Sequence, residues 1–382
     1  MSLTYYFLPT RNVFGEGAVN EAGKLMKSLD GTHPMIVTDA FLAKSGMADQ
    51  VKKILEDEGL PTYIFGVAEP NPTDKNVVAG VAAFKEQGCD SIISLGGGSS
   101  HDCAKAIGLI AANGGEIYDY EGIDISKNKM VPLMAINTTA GTASEITRFC
   151  IITDTRRKVK MAILDWRVTP QIAINDPVLM KGMPPRLTAA TGMDALTHAV
   201  EAYIGKSNVK STEHYAELAT RLIYANIEEV YNNGKNIEAR NAMLKASYYA
   251  GMAFTRAYVG YVHAIAHNLG GFYGVPHGLA NAIILPYVLE YYGETAHARL
   301  AKLAVISGVK TDGTDAEKAE AFIESIKQLN RNMNIPDKFD MIKEEDIPTI
   351  VKRALKEGNP LYPVPKIMDE ADCEAVIRRM MK

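Results

Sequence analysis

Short apolar runs alternate with helical patterns in the first half of the chain, from about residue 34 to residue 175. The runs are expected to be buried strands, and the segments between them repeat apolar positions every three or four residues, as helices do. The predicted strands are 35–39, 62–66, 91–95 and 131–136, and the predicted helices include 47–58 and 74–87. This order predicts parallel βαβ units in a doubly wound, Rossmann-like sheet with a ligand cleft at the carboxyl ends of its strands.

The alternation ends in the second half of the chain. After residues 175–177 the apolar positions follow helical spacing, and Gly-Met-Pro-Pro at 182–185 marks the predicted domain boundary. The predicted helices include 186–203, 212–231, 237–257 and 282–292, and Thr314 with Glu317 predicts a capping box before another. The expected fold class is therefore α/β plus all-α, with an α/β domain over 1–183 and a helical domain over 184–382.

Composition narrows the classes of function. The 382 residues are 47% hydrophobic and 23% charged, which is typical of a globular protein. The formal net charge is −4 and the sequence has no long basic run, so we do not expect nucleic acid as a partner. The sequence has no apolar run long enough to span a membrane, no signal-peptide pattern in residues 1–10, and only four dispersed cysteines, so we expect a cytoplasmic protein with no membrane partner.

A glycine-rich segment, Gly-Gly-Gly-Ser-Ser-His-Asp at 96–102, lies between the predicted strand 91–95 and a helical pattern over 103–112. Backbone N–H groups in such a loop can approach a phosphate, and the dipole of the following helix favours its negative charge. The alternative is an ordinary tight turn. The order of strand, loop and helix favours a cradle for the pyrophosphate of a dinucleotide.

Two charged residues and a polar loop extend this predicted dinucleotide site. Asp39 ends a predicted strand, where its carboxylate can bind a ribose and repel a 2′-phosphate, which favours NAD over NADP; alternatively, it only caps the next helix. Lys160 lies in a predicted β-hairpin over 149–164 and can reach phosphates or the nicotinamide ribose; alternatively, it is a solvated edge charge. The loop at 137–145 follows a strand and is rich in hydroxyl groups.

Three of the eight histidines, His263, His267 and His277, lie within the segment 260–278. Clustered histidines on an apolar segment indicate metal coordination, because neutral imidazole is a common metal ligand and is costly to bury without a partner. The glycines at 270, 271 and 274 and the proline at 276 predict that a helix ends before His277, which then lies on a loop. The alternative is that these three histidines bind no metal and that each has its own hydrogen-bond partner.

A second element strengthens the interpretation of a metal site. Asp194 and His198 are four residues apart in a helical pattern, so they share one helix face, and His263 and His267 repeat this spacing. One aspartate and up to four histidines, from two helices and a loop, suit a divalent transition metal with an open coordination position.

Together these motifs strongly resemble those of the iron-containing (group III) alcohol dehydrogenases, especially the methanol dehydrogenase and 1,3-propanediol dehydrogenase branch. The resemblance extends over nearly the whole chain and rests on segments at 7–9, 14–17, 69–72, 96–102, 138–145, 192–201 and 260–278. It implies a metal-dependent oxidoreductase that transfers a hydride between NAD and a short primary alcohol or diol, or the aldehyde in reverse.

The resemblance also implies roles for individual residues. The implied metal ligands are Asp194, His198, His263 and His277, with Fe²⁺ the expected metal and Zn²⁺ the alternative. His267 is left unligated beside the substrate, and we interpret it as the residue that relays the proton to solvent. The implied NAD contacts are Asp39, Gly97, Gly98, Ser99, Thr138, Thr139, Thr142 and Lys160.

Three further positions are interpreted from the family. Phe149 and Phe254 occupy positions that would wall a pocket for short substrates, although buried phenylalanines are usually plain core. Ala143 stands where the family usually has glycine. If that position requires φ > 0, the alanine costs about 1 kcal/mol or more in strain.

Two other functions remain open at this stage. An NAD-using, metal-dependent lyase of the dehydroquinate synthase type shares the architecture but forms no net NADH, and a non-catalytic metal-binding or scaffold protein would not bind NADH. Within the dehydrogenase reaction, a choice of substrate like that of lactaldehyde reductase is a further alternative. The family also implies a homo-oligomer, between a dimer and a decamer.

Overall fold

A computed structural model describes residues 10–157 and 159–382, so the motif at 7–9 lies outside the described residues. The chain divides into two compact units, each described separately below. The first comprises the residues up to Thr139 together with Ala143–Met180, and the second comprises Ala140–Thr142 together with Lys181–Lys382. The first unit is α/β and the second is helical, as the sequence predicted.

The first unit contains strands β1 to β9 and helices α1 to α5. The strands are β1 (Arg11–Phe14), β2 (Pro34–Asp39), β3 (Tyr63–Ala68), β4 (Ser91–Gly96), β5 (Gly122–Ile123), β6 (Leu133–Asn137), β7 (Phe149–Asp154), β8 (Val159–Leu164) and β9 (Ile172–Asn175). The helices are α1 (Ala22–Lys27), α2 (Ala40–Lys44), α3 (Met47–Asp57), α4 (Asp74–Glu86) and α5 (Gly98–Asn113).

Six of these strands form one parallel sheet in the order β1-β9-β6-β4-β2-β3. Successive residues of a strand point to opposite faces of the sheet. The inner strands of this sheet are nearly continuous apolar runs, so both faces are apolar. In β4, for example, Ile92 packs into one hydrophobic cluster and Ile93 into the other. The chain runs from β2 to β3 on one side and then returns to β4 on the other, so the topology reverses between β2 and β4. Ligands of doubly wound sheets bind at such a point, beyond the carboxyl ends of the strands.

The predicted hairpin is confirmed. Strands β7 and β8 pair antiparallel, from Phe149 opposite Leu164 to Asp154 opposite Val159. With β5, which runs parallel to β8, they form a separate three-stranded sheet.

Two predicted element starts in this unit were wrong by two residues or more, and two strands of the sheet were missed. Helix α5 begins at Gly98 and not at residue 103, because Gly97 provides the extended N-cap and the residues after it can all adopt helical geometry. Strand β6 begins at Leu133, since the preceding Pro132 cannot donate to a strand ladder. Strands β1 and β9 complete the sheet beyond the four strands that the sequence predicted.

The second unit is built from helices α6 to α14. They are α6 (Pro185–Ile204), α7 (Lys210–Asn232), α8 (Ile237–Ala257), α9 (Tyr261–Tyr273), α10 (His277–Tyr292), α11 (Glu294–Ile306), α12 (Asp315–Asn332), α13 (Ile347–Gly358) and α14 (Glu370–Arg379). Among the described residues, none of the helices is both long and apolar enough to cross a membrane.

The prediction that His277 lies on a loop was wrong, because α10 begins at this residue. Gly270 and Gly271 do not end α9, which continues to Tyr273 and stops at Gly274, a residue in the left-handed conformation with φ 69°. Pro276 then sets a backbone conformation from which the next helix starts directly. All the histidines of this stretch therefore lie on helices.

Candidate active site

Four side chains of the second unit converge on one point. Asp194, His198, His263 and His277 each offer one ligand atom, and these four atoms all lie within 4.8 Å of one another. Asp194 and His198 come from adjacent turns of α6, His263 from α9, and His277 from the first residue of α10. The first three residues are buried, and the side chain of His277 is 25% exposed, so this point is reached from one side.

Burial keeps two of these imidazoles in the form that binds metals. It lowers the pKa of His198 to about 3 and that of His263 well below its ordinary value of 6.5. Both rings are therefore neutral at pH 7 and present a lone pair. One carboxylate with three imidazoles, whose ligand atoms all lie within 4.8 Å of one another, suits a divalent transition metal.

Glu201 holds His263 in the tautomer that a ligand needs. Its Oε2 atom lies 2.6 Å from Nδ1 of His263, and its Oε1 accepts the N–H of Val262 at 2.8 Å. Burial raises the pKa of the Glu201 carboxyl, while the surrounding backbone N–H groups favour its charged form. In its carboxylate form Glu201 can only accept, which places the proton on Nδ1 of His263, and Nε2 lies 3.9 Å from Oδ1 of Asp194.

Asn281 is a second residue at this point that the sequence reasoning missed. Its amide nitrogen donates to Oδ1 of Asp194 at 2.7 Å and lies 3.2 Å from Nε2 of both His263 and His277. The available signal was helical spacing, because Asn281 is one turn beyond His277 in α10. By the same rule Glu201 is two turns beyond Asp194 in α6.

His267 lies beside the four converging residues but does not belong to the group whose ligand atoms converge. Its ring stacks on that of His277, with centroids 5.2 Å apart, and its Nδ1 lies 2.7 Å from Oε1 of Glu357. Phe254 stacks on His198 with centroids 4.2 Å apart, so one of the two predicted pocket residues adjoins this centre. The other, Phe149, is half-buried at the start of β7 in the first unit.

The predicted cofactor residues of the first unit gather at one edge of the parallel sheet. Strands β2, β4 and β6 are neighbours, and their carboxyl ends lead to Asp39, to Gly97 and to Thr138. The N–H of Thr138 donates to the carbonyl of Gly96 at 2.9 Å, which joins two of these ends. Gly98 and Ser99 form the first turn of α5, whose N–H groups lack partners within the helix. Thr139 follows directly.

Asn71 links two of the predicted cofactor residues and was itself missed. Its side-chain oxygen accepts from Nζ of Lys160 at 2.8 Å, and its N–H donates to Oγ of Ser99 at 3.3 Å. Asn71 adopts a left-handed conformation with φ 57°, which is enriched in asparagine among residues other than glycine. Lys160 is therefore held by a hydrogen bond and is not a freely solvated edge charge.

Asp39 caps the next helix, as the alternative interpretation had it. Its Oδ1 accepts the N–H groups of Phe41 at 2.8 Å and of Leu42 at 2.9 Å. Both bonds go to one oxygen and the side chain is half-buried, so the cap leaves Oδ2 for another partner. The capping role and a role in ribose binding are therefore compatible.

The loop after β6 contains the predicted deviation from the family. Ala143 adopts φ 51° and ψ 25°, a left-handed conformation that costs an alanine about 1 kcal/mol or more. The positive φ on which the expected strain depended is therefore confirmed. Thr142, the last predicted cofactor residue, lies in the short segment Ala140–Thr142 that is grouped with the second unit.

Comparison with protein families accounts for nearly the whole chain. A model described as "Iron-containing alcohol dehydrogenase" matches residues 9–177, and one described as "Fe-containing alcohol dehydrogenase family, C-terminal" matches residues 188–381. The two matches fall in the two units described above.

Individual relatives agree with the family models. The chain is 44% identical over 379 residues to the 1,3-propanediol dehydrogenase of Citrobacter freundii, which covers 98% of each sequence. It is 44% identical over 358 residues to the NAD-dependent methanol dehydrogenase of Bacillus methanolicus, covering 93% of this chain and 94% of that protein. A crystal structure of a 1,3-propanediol oxidoreductase matches with a TM-score of 0.95 at 43% identity, covering 99% of this chain and 100% of that one.

Proposed function

The chain belongs to the iron-containing alcohol dehydrogenase family, and we propose that Asp194, His198, His263 and His277 hold its catalytic metal ion. The protein is an NAD-dependent, metal-dependent oxidoreductase that transfers a hydride between NAD and an alcohol or diol. The observation that carries the proposal is the convergence of these four ligand atoms within 4.8 Å of one another.

The donor set suits Fe²⁺, the metal named by the family, and Zn²⁺ is the alternative. Such an ion acts as a Lewis acid that polarises the oxygen of an alcohol or a carbonyl group. The protein's part is to keep its ligands deprotonated and oriented. Burial does the first for His198 and His263, and the contact of Glu201 with Nδ1 does the second for His263.

For NAD, we propose contacts from the sheet edge and from the loops that follow it. The pyrophosphate would be held by the backbone at the start of α5, where unpaired N–H groups and the helix dipole favour an anion. Asp39 would bind the adenosine ribose, and Lys160, held by Asn71, would supply a positive charge. The proposed residues are Asp39, Gly97, Gly98, Ser99, Thr138, Thr139, Thr142 and Lys160.

His267 is the proposed catalytic residue for proton transfer. Its Nδ1 is engaged by Glu357, so its Nε2 is the atom that can accept the proton of the alcohol hydroxyl. The side chain is 20% exposed, compared with 3% for His263, which supports a path from this ring to solvent. In the reverse direction the same nitrogen would return the proton to the product.

The substrate is proposed to be a short primary alcohol or diol, with Phe254 and Phe149 as pocket walls. Phe254 is 6% exposed and lies flat on His198, so it limits the volume beside the metal ligands. The support for Phe149 is its family position alone.

We further propose that the units correspond to an NAD-binding domain over 1–183 and a metal-binding, catalytic domain over 184–382. A cytoplasmic location and a homo-oligomeric state are also proposals. The four dispersed and buried cysteines suit a reducing compartment, and the family supplies the expectation of an oligomer.

The test is a screen of C1 to C4 primary alcohols and diols with NAD, using protein loaded anaerobically with Fe²⁺ or Zn²⁺. We expect NADH to form in proportion to the alcohol consumed, and metal-stripped protein to be inactive. NADH that binds but never accumulates would instead indicate a lyase of the dehydroquinate synthase type. Protein that binds the metal but not NADH would indicate a scaffold.

A further inference from the structure

We propose that Glu357, in the helix α13, is a positioning residue that fixes the ring and the tautomer of His267. The proposal rests on the role in proton transfer given to His267 above. Nothing in the sequence near Glu357 indicates it, because 90 residues separate it from His267. The assignment comes from the packing of α13 against the helix that carries both His263 and His267.

The contact itself is close and directional. Oε1 of Glu357 lies 2.7 Å from Nδ1 of His267, and the hydroxyl of Tyr362 donates to the same oxygen at 2.8 Å. A carboxylate oxygen accepts both bonds, so Nδ1 of His267 carries a proton and Nε2 presents its lone pair. The hydroxyl of Tyr362 thereby holds the carboxylate in place, and the carboxylate in turn holds the ring of His267.

A second histidine of α9, which also pairs with a glutamate from another helix, shows what is particular to Glu357. One turn earlier, His263 contacts Glu201 at 2.6 Å in the same manner, through Nδ1. The side chains of that pair are 3% and 1% exposed, whereas those of His267 and Glu357 are 20% and 29% exposed. The buried pair orients a proposed metal ligand, and the accessible pair orients a group that must exchange a proton with water.

Small solutes can reach an accessible carboxylate site, and this gives a specific test. In Glu357→Ala, kcat for alcohol oxidation by the Zn²⁺-loaded enzyme should fall by about 10- to 100-fold, by analogy with the loss of partners that orient a metal-ligating histidine. Metal content and the KM for the alcohol should remain near those of the parent. Added formate should restore part of kcat in Glu357→Ala and none in His267→Ala, because only the former leaves a ring to be positioned.

A spectroscopic readout makes the test independent of turnover. In ¹⁵N-histidine spectra of the Zn²⁺-loaded protein, His267 should be protonated at Nδ1 in the parent and should lose this single tautomer in Glu357→Ala. The matched control is Glu344→Ala, which removes an exposed glutamate paired with Arg378 and should change neither result.

The possible failures are distinguishable. A parent enzyme that forms no NADH from any alcohol contradicts the proposed function, while the tautomer measurement still decides the role of Glu357. A Glu357→Ala variant with kcat within about twofold of the parent, or with an unchanged tautomer, overturns the positioning role alone. Loss of kcat that follows loss of metal or of folded protein, without rescue by formate, also overturns it.

Discussion

Glu145 has its carboxyl group in the interior of the first unit, at 1% exposure, in the loop that follows β6. Burial raises its pKa to about 7, against the opposing charge of Lys105. Since the folded-state pKa lies above the ordinary value of 4.5, the folded protein retains this proton between about pH 4.5 and 7 while the unfolded chain releases it. Stability from this group is therefore lost as the pH rises through that window.

The prediction concerns Glu145→Gln, which removes the ionisable group and keeps its shape. Relative to the parent, the free energy of unfolding of the variant should increase between pH 4.5 and 7, on the order of 3 kcal/mol in total, because a pKa change of one unit corresponds to about 1.4 kcal/mol. Urea unfolding at pH 5 and pH 8 measures this difference. An equal difference at the two pH values would mean that the side chain titrates normally.

Asp39 offers a test of cofactor choice at a single residue. Asp39→Asn keeps the oxygen that caps α2 and removes the negative charge that would repel a 2′-phosphate. We expect the ratio of kcat/KM for NADP to that for NAD to rise on the order of tenfold, or about 1.4 kcal/mol, with little change in Tm. If the ratio does not change, Asp39 is only a helix cap. Asp39→Gly is the matched comparison that also removes the capping side chain.

At this scale the sequence predicted the residues whose chemistry is local and missed those that act through a distant partner. The convergence of Asp194 and His198 could be predicted because helical spacing puts both on one face. Glu357 could not, since its contact with His267 depends on how two helices pack. The capping role of Asp39 was correctly considered as an alternative, because short polar side chains before a helix commonly cap it.

Close helix contact, rather than the loop between the helices, brings His277 to Asp194. A Cβ atom on Gly278 would lie 2.3 Å from the carbonyl oxygen of Ala190 and 3.3 Å from Cβ of Asp194. Helix α10 therefore approaches α6 at a position where only glycine fits. The proposed metal ligands His277 on α10 and Asp194 on α6 lie next to this contact.

Gly278→Ala should consequently separate the two ligand-bearing helices. We expect it to lower the free energy of unfolding by about 1–3 kcal/mol, as overpacking does, and to weaken Zn²⁺ binding measured by competition with a chelator. Gly274→Ala is the matched control. A Cβ there meets nothing within 4 Å, and its φ of 69° predicts a loss of only about 1 kcal/mol, with unchanged metal affinity. Equal metal affinity in both variants would contradict this role of Gly278.

The start of α5 gives a second prediction for an element. Gly98→Val places a branched side chain at the first residue of this helix, where a phosphate must approach the backbone. NADH binding, followed by fluorescence, should be lost, and metal content should be unchanged because the metal residues lie on α6, α9 and α10. Retained NADH affinity would show that the pyrophosphate binds elsewhere.

Element types followed from periodicity, and element ends depended on local geometry. The capping box of Thr314 and Glu317 is confirmed, with Oε2 of Glu317 accepting the N–H of Thr314 at 2.8 Å. The start of α10 was placed too late because Gly274 and Pro276 indicate a loop without fixing its length. The actual interruption is short, since one left-handed glycine ends α9 and one proline starts α10.

For the whole molecule, the α/β and helical halves could be predicted because the period of apolar positions changes near residue 180. The order of the strands could not be predicted in the same way. β1 and β9 are short and pair with each other from opposite ends of the first unit, a contact that no local pattern encodes. We propose that the metal residues all lie in the second unit and that the NAD residues, apart from Thr142, lie in the first, so a variant can lose one ligand and keep the other.

The most direct measurement compares metal content and turnover in His277→Ala and His267→Ala, prepared and loaded with Zn²⁺ in parallel. His277→Ala should lose most of its metal and all alcohol-dependent NADH formation, because one of four ligands is gone. His267→Ala should keep metal near the parent level while kcat falls by roughly 10²-fold, as expected for lost proton transfer. Metal that stays in His277→Ala with activity intact, or metal lost from His267→Ala, would contradict the proposed set of ligands.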